Sequence, residues 1–212
     1  MKNLLLLTLF ITFILQGCEG ELVYNNERPF IEIGEKNVLK YKGELYSGKY
    51  IRYYEDGTLS KVMKKGSIFK GKHVGVWEQY YENGQLKDKG SYINGKEDGV
   101  WEYYHKNGQL AMKGSLINGI EDGFWEVYHD NGQLRTKGSN LNGKWNGVYE
   151  EYHDNGQLMM KGTYLNVKED GVWERYYENG QLRWKGSYTN GKQNGVWKYY
   201  NEDGSLERTE TY

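Results

Sequence analysis

The stretch "GVWEYYHKNGQLAMKGSLINGIED", residues 99–122, is followed directly by "GFWEVYHDNGQLRTKGSNLNGKWN", residues 123–146. A fixed step of this kind is typical of repeat architectures, in which each unit buries its apolar face only against its neighbours. The glycine that opens both stretches recurs with the same step, at Gly75, Gly99, Gly123, Gly147, Gly171 and Gly195. A diverged copy begins at Gly48 and a shortened one ends at Tyr212, so the sequence predicts about seven units.

Each unit is predicted to be a β-hairpin. An Asn-Gly pair between aromatic and aliphatic runs is a strong hairpin signal, because a two-residue type I′ turn needs positive φ at both central residues. With residues 107–108 as that turn, Trp101 lies opposite Gly114. The same register places Glu102 opposite Lys113, and an opposite-charge pair across two strands stabilises by about 0.2–1 kcal/mol. The charges therefore give the register independent support.

The rest of the unit follows from this register. Tyr104 is expected opposite Ala111, and the connection from Asn94 to Gly99 is expected to be a longer loop between hairpins. The 29 glycines and single proline fit a sheet with many tight turns, and no stretch has helical periodicity. We therefore expect an all-β, elongated array of antiparallel hairpins, with Asn-Gly turns along one edge and the longer loops along the other.

Aromatic side chains form two predicted rows, one on each face of the sheet. The first row contains Trp77, Trp101, Trp125, Tyr149, Trp173 and Trp197. The second contains Tyr80, Tyr104, Tyr128, Tyr152, Tyr176 and Tyr200. A thin sheet cannot bury both faces, so some rings should be exposed, and exposed Tyr and Trp are typical of protein or sugar contacts. The tryptophan row is therefore the candidate binding surface.

Specificity is expected where the units differ, because the repeated residues are those that the fold requires. One strand position holds Tyr103, Val127, Glu151 and Arg175 in successive units. The position opposite holds Met112, Thr136, Met160 and Trp184. Tyr103, Arg175 and Trp184 are added to the candidate binding surface for this reason.

Three histidines occupy one position in consecutive units: His105, His129 and His153. Neighbouring units lie about 9–10 Å apart, whereas Zn–N bonds are only about 2.1 Å long, so one metal cannot bridge two such positions. Tyr81 and Tyr177 replace histidine in other units, which favours a stacking role. We expect no metal and no cofactor.

Other arrangements of polar residues do not indicate catalysis. Acidic pairs recur at residues 97–98, 121–122 and 169–170, which offer too few oxygens for calcium and are interpreted as a solvated edge that discourages strand addition. The Glu102–Lys113 type of pair repeats in five units, whereas a catalytic site should be singular. There is no recognisable nucleophile motif, so the protein is not expected to be an enzyme.

The N-terminal segment predicts where in the cell the protein is located. Lys2 precedes an apolar run over residues 4–15, which is too short to span a membrane and has the length of a signal-peptide core. The run ends in "LQGC", residues 15–18, which resembles the lipobox of bacterial lipoproteins and implies cleavage before Cys18 and lipid attachment to its thiol. Glu19 at the next position is compatible with the outer membrane or cell surface. An ordinary secretory signal is the alternative.

This address divides the chain into a signal peptide, residues 1–17, a tether with a capping strand, residues 18–42, and the repeat domain, residues 43–212. The chain has 28 basic and 29 acidic residues. Because basic and acidic residues are nearly equal in number, the charge argues against nucleic acid as a partner and against membrane binding through a polybasic surface. The membrane contact that we expect is the lipid anchor alone.

The unit "GVWEQYYENGQLKDKGSYINGKEDG", residues 75–99, and its copies resemble the variant MORN repeat, found in bacterial proteins often labelled YwqK-type antitoxins. The resemblance covers about residues 43–208. It implies an array of hairpins, transfers no catalytic residues, and suggests protein scaffolding and sometimes phospholipid contact. We expect an envelope-anchored module that binds an unknown protein. The alternatives are a glycan-binding module and an antitoxin, although a lipoprotein signal does not fit an antitoxin of a cytoplasmic toxin.

Overall fold

The computed structural model describes the residues 21–24, 31–33, 39–41, 44–54 and 61–212. The predicted signal peptide and Cys18 lie outside the described residues, so lipid attachment stays a prediction. Nothing in the described part of the chain is helical, so that part holds no helix that could cross a membrane.

The described residues form 19 β-strands. Their bounds are β1 Glu21–Tyr24, β2 Ile31–Ile33, β3 Leu39–Tyr41, β4 Glu44–Leu45, β5 Gly48–Tyr53, β6 Val62–Phe69, β7 Lys72–Tyr80, β8 Leu86–Ile93, β9 Lys96–Glu97, β10 Gly99–Tyr104, β11 Leu110–Ile117, β12 Ile120–Tyr128, β13 Leu134–Leu141, β14 Lys144–Tyr152, β15 Leu158–Leu165, β16 Lys168–Tyr176, β17 Leu182–Thr189, β18 Lys192–Tyr200 and β19 Leu206–Thr211.

One open sheet of 16 strands contains all of the repeats. From β5 onward its strands follow one another in chain order, and each pairs antiparallel with the next; the short β9 pairs beside this path with β8. At the start, β1 pairs with β5 in parallel. Strands β2, β3 and β4 form a separate three-stranded sheet. The predicted all-β array of antiparallel hairpins is therefore confirmed.

The predicted pairing at the centre of the hairpin is also confirmed. Trp101 lies opposite Gly114, Glu102 lies opposite Lys113, and Tyr103 lies opposite Met112. The same pairing recurs in the other complete units, such as β16 with β17. The charge pattern and the glycine pattern thus identified the register correctly.

The turn itself was predicted wrongly. The register shifts by one residue between Tyr103 and Tyr104, so Tyr104 lies opposite Leu110 and not Ala111. The amide of His105 donates to the Gln109 carbonyl at 2.8 Å, and the Gly108 amide donates to the His105 carbonyl at 2.9 Å. This is a three-residue loop, a type I turn followed by a glycine in the left-handed region with φ of 87°.

The asparagine side chain explains why this turn is preferred. Asn107 Oδ1 accepts a hydrogen bond from the Gln109 amide at 3.0 Å, and Asn107 Nδ2 donates to the Asp130 carbonyl at 2.6 Å. An asparagine that bonds the backbone two residues ahead forms an Asx turn. The side chain therefore closes its own turn and connects it to the next unit.

The two-residue type I′ turn lies at the other connection, where a longer loop was predicted. Asn118 and Gly119 have φ of 55° and 83°, and Ile117 pairs with Ile120 across them. The acidic segment that follows belongs to strand β12, which bulges where Gly123 has φ of 85°. The predicted loop is therefore a tight turn and a bulged strand, because a second Asn-Gly pair satisfies the same φ requirement.

The core of the sheet is a line of tryptophan rings packed on glycines. A Cβ added to Gly90 would lie 2.1 Å from Trp101 Cδ2, and one added to Gly114 would lie 2.0 Å from Trp125 Cδ2. Each ring therefore covers the glycine of the preceding unit. Where Tyr149 replaces tryptophan, the ring of Trp145 takes this place, 2.7 Å from a Cβ on Gly138.

Candidate functional site

The tryptophan row does not form the exposed surface that was predicted. The exposed fractions of Trp77, Trp101, Trp125, Trp173 and Trp197 are only 1–3%. Other aromatic rings pack against these indoles; for Trp101, the centroid of Tyr92 on the neighbouring β8 lies 5.3 Å away and that of Tyr103 on the same strand lies 6.1 Å away. A single sheet therefore buries these rings laterally, and the prediction that they form an exposed surface is wrong. Tyr149, the sixth member of the row, is half-buried.

The opposite side of the sheet, which we call the glutamate face, carries an alternating row of glutamates and lysines. It runs strand by strand from Lys65 to Lys185, so that each Glu lies between two Lys. The tyrosine row lies beside it: Tyr104 donates to Glu102 at 2.8 Å, and Lys113 pairs with the same carboxylate at 3.1 Å. These tyrosines and charges are therefore occupied within the sheet.

Glu174 is the most strongly held of these carboxylates. Burial acts to raise its pKa, but hydrogen bonds from Lys161, Lys185 and Tyr176 outweigh burial and hold the pKa at about 2. The two lysine nitrogens lie 2.8 and 2.7 Å from its oxygens. The carboxylate is consequently ionised at neutral pH and bound on both sides, and it is not available as an acid or a base.

The histidine row connects one unit to the next. His105 Nε2 lies 3.0 Å from the Tyr128 carbonyl, and Tyr81, which replaces histidine, donates to the Tyr104 carbonyl at 2.7 Å. The two residue types thus interchange because both reach the same carbonyl, which corrects the predicted stacking role. Within the described residues, no three His, Cys, Asp or Glu side chains lie close enough to hold a metal.

The acidic pairs also have a structural role, which corrects the prediction of a solvated edge. Asp98 Oδ2 accepts a hydrogen bond from the Asn118 amide at 3.2 Å, and Asp122 Oδ2 accepts one from the Asn142 amide at 3.1 Å. Each carboxylate therefore caps the type I′ turn of the next unit. In the next unit Asn146 stands in place of this Asp. Its Oδ1 accepts a hydrogen bond from the Asn166 amide at 3.1 Å, so the contact is kept without a carboxylate.

The residues that differ between units meet in one line, which we call the variable row. It crosses fourteen strands from β5 to β19. Its members in spatial order are Arg52, Lys64, Gln79, Asp88, Tyr103, Met112, Val127, Thr136, Glu151, Met160, Arg175, Trp184, Tyr199 and Arg208. The two variable positions predicted from the sequence are thus interleaved.

The variable row lies on the same face as the tryptophans and is more accessible than they are. Tyr103, Arg175 and Trp184 are all half-buried, and Arg208 at the end of the row is exposed. The chemistry changes along the row, from apolar side chains around Met112 to arginines and aromatic rings at the C-terminal end. Along the variable row, the side chain therefore changes from each strand to the next.

Sequence reasoning missed two exposed apolar rows on the glutamate face. Val76, Val100, Phe124, Val148, Val172 and Val196 are 46–55% exposed. Phe69, Ile93, Ile117, Leu141 and Leu165 are 49–58% exposed. The alternation of side chains along a strand could have indicated both, since the residue before each buried tryptophan must point to the opposite face.

The family model described as the MORN repeat variant matches five segments, which together cover about half of the chain: residues 74–94, 97–118, 145–166, 169–190 and 193–212. Four of these segments end at the first residue of the turn between two units, which is Asn94, Asn118, Asn166 or Asn190. No curated protein matches the chain.

Proposed function

The chain belongs to the MORN repeat variant family, and on that premise we propose that it is a non-enzymatic module that binds a protein along the variable row. Repeats of this family are generally involved in protein or membrane binding. The observation that supports the proposal most directly is that repeated and variable residues differ in what they contact. The repeated tryptophans, tyrosines and charge pairs mostly contact one another within the sheet, whereas the residues that vary form one line that is half-buried except at the buried Asp88 and the exposed Arg208.

The length of the variable row favours a partner that makes several weak contacts. Strands in a sheet lie about 4.8 Å apart, so fourteen strands present a line of roughly 60 Å. Contacts that are weak individually add to a strong total when they are linked on one scaffold. Because the side chain changes from each strand to the next, the order of residues along the row can select one partner.

The absence of catalysis is part of the proposal. The pairs of acidic and basic groups that could transfer protons occur in unit after unit, and their side chains bond one another across the sheet. A catalytic site needs a singular pocket in which such groups face a substrate. The repeated pairs have the geometry of a stabilising ladder.

We also propose that the module is held at the cell envelope by a lipid on Cys18. The support is the lipobox-like "LQGC" at residues 15–18 after an apolar run, with Cys18 as the only cysteine of the chain. A palmitate analogue should label the wild-type chain in growing cells, and Cys18→Ser should remove the label. Label that survives in Cys18→Ser would contradict this address.

The two alternatives now have different support. Glycan binding depended on exposed tryptophan rings, and their burial removes that argument. An antitoxin function still predicts that the chain without residues 1–18 rescues growth against a neighbouring toxin. We therefore retain protein binding as the proposal and the antitoxin function as the alternative to be tested.

Two adjacent methionines allow a matched test of the binding face. Met160 belongs to the variable row, and Met159 points to the glutamate face of the same strand, because side chains alternate along β15. A photo-reactive amino acid placed at Met160 should crosslink one protein in intact cells, and the same probe at Met159 should not. Equal or stronger crosslinking from Met159 would move the site to the glutamate face, where the exposed apolar rows lie.

A further inference from the structure

Strand β19 forms one edge of the large sheet in the described structure. It pairs with β18 on one side only, whereas β5, the first repeat strand, is covered by β1. Gly195 and Tyr212 exchange two backbone hydrogen bonds, at 3.1 and 3.0 Å. Because bonded and non-bonded pairs alternate along an antiparallel ladder, the amides and carbonyls of Thr209 and Thr211 point away from β18. These groups can pair with another strand.

Two residues of β19 depart from the pattern of the repeat. The position of Thr209 holds a lysine in the six preceding strands of this type, which are Lys65, Lys89, Lys113, Lys137, Lys161 and Lys185. The position of Glu210 holds a glycine in those strands, and a tryptophan of the next unit packs on it, as Trp125 does on Gly114. Glu210 leaves no place for such a ring. A strand added to β19 must therefore differ from the strands of the repeat.

The sequence of β19 is complementary to itself across a two-fold axis. When a second copy of β19 lies antiparallel with Thr209 on the axis, Arg208 of each copy lies opposite Glu210 of the other. Opposite charges across two strands stabilise the pair, and like charges destabilise it. Moving the axis to Arg208 or to Glu210 would set that residue opposite its own copy. The charges therefore select the register with Thr209 on the axis.

We propose that two copies of this chain associate through antiparallel pairing of their β19 strands, with Thr209 on the two-fold axis. The pairing is isologous, since both copies contribute the same strand. Regular pairing is expected from Arg208 to Thr211, because the register between β18 and β19 shifts only at Tyr199–Tyr200. So short an interface forms a weak dimer whose population depends on concentration.

The contacts that Arg208 now makes do not oppose this pairing. Its Nε lies 2.8 Å from Glu210 Oε1 on the same strand, and Nη1 lies 3.1 Å from Glu207 Oε2. Arg208 is exposed, and exposed ion pairs contribute little to stability. Exchanging the bond along one strand for the same bond across the axis therefore costs little. A lysine at the position of Thr209 would instead place two like charges opposite each other on the axis.

Sedimentation velocity of the purified full-length chain, at concentrations from about 1 to 200 μM, tests this inference. The wild type should shift from monomer to dimer as concentration rises. Thr209→Lys should weaken the dimer by about tenfold or more. This variant should unfold in urea like the wild type, because lysine occupies the same position in β17. Thr189→Lys is the control, since it adds a lysine at an exposed position of an inner strand, and it should dimerise like the wild type.

Charge reversal shows which residues face each other. Arg208→Glu and Glu210→Arg should each be monomeric, because each variant alone places like charges opposite each other across the axis. A mixture of the two variants should form a dimer, because every pair then joins an arginine to a glutamate. An effect of these charges within one strand cannot produce this rescue.

Three results would overturn the β19 dimer. They are a wild type that stays monomeric over the whole range, a dimer that persists in Thr209→Lys, and a mixture of the charge-reversed variants that stays monomeric. Crosslinking from Met160 reports on a different protein and does not depend on β19. Failure of the dimer therefore leaves the proposed function standing, and failure of the crosslink leaves the dimer standing.

Discussion

Replacing Gly114 by alanine tests the packing that defines the repeat. The new Cβ would lie 2.0 Å from Cδ2 of the Trp125 ring, whereas carbon atoms pack at about 3.5–4.0 Å. The ring would have to move by roughly 1.5 Å to restore that distance. It has little room to do so, because Trp125 is 3% exposed and Tyr103 stacks on it with centroids 6.5 Å apart.

The expected loss follows from these contacts. Removing the packing of a buried tryptophan costs about 3–5 kcal/mol, and alanine in a strand regains about 0.5–1 kcal/mol relative to glycine. Gly114→Ala should therefore lower the free energy of unfolding by about 2–4 kcal/mol, measured by urea denaturation followed by circular dichroism.

A double-mutant cycle separates the clash from other effects. In a Trp125→Ala background the ring is gone, so Gly114→Ala should no longer destabilise and should stabilise by about 0.5–1 kcal/mol. Gly99 is a suitable control, because it has φ of +87° and nothing within 4 Å of an added Cβ. Gly99→Ala should cost about 1–2 kcal/mol through backbone strain in both backgrounds.

Two results would refute the packing argument. One is a loss below about 1 kcal/mol for Gly114→Ala in the wild-type background, since a clash of this size cannot be relieved so cheaply. The other is the same effect in both backgrounds, which would mean that the ring and the glycine do not interact.

Three further predictions concern the Glu174 carboxylate, the His105 contact and the Asn118 turn. The low pKa of Glu174 contributes stability that is present above the unfolded pKa and is lost as pH falls from about 5 towards 2; Glu174→Gln should flatten this limb of the pH–stability curve more than Glu126→Gln, because Glu126 has no ion pair among the described residues. His105→Tyr should be tolerated and His105→Phe should cost about 1 kcal/mol in urea denaturation, and equal costs would contradict the shared carbonyl contact. Asn118→Ala should lower the melting temperature through strain at its φ of 55°, whereas Asn118→Gly should not.

The sequence was sufficient to predict the fold class, the period and the central register. These depend on features that repeat, such as the tryptophan that lies opposite a glycine and the glutamate opposite a lysine. The two-residue type I′ geometry was assigned to the wrong Asn-Gly pair of the unit, because both pairs satisfy the same local preference. The side-chain bonds of Asn107 and Asp98 reach residues in the next unit, and a reading of one hairpin cannot include them.

The site was predicted only in part. The variable positions, including Tyr103 and Arg175, were identified because they differ between units. The tryptophans were assigned to the surface because a single sheet was expected to leave one face open. Burial depends on rings such as Tyr92 that approach from neighbouring strands, and their approach depends on how adjacent units pack.

A composition-preserving exchange tests the central claim, that the order of residues along the variable row selects the partner. Exchanging the pair Tyr103 and Met112 with the pair Arg175 and Trp184 keeps every residue type and every strand position occupied. The exchanged chain should unfold cooperatively at a lower urea concentration than the wild type, because Arg replaces the Tyr103 ring that packs on Trp101 and Trp125, and the chain that is still folded in the absence of urea should no longer bind the protein captured by crosslinking at Met160. Unchanged binding by a folded exchanged chain would contradict the account and place recognition on the repeated surface or the loops.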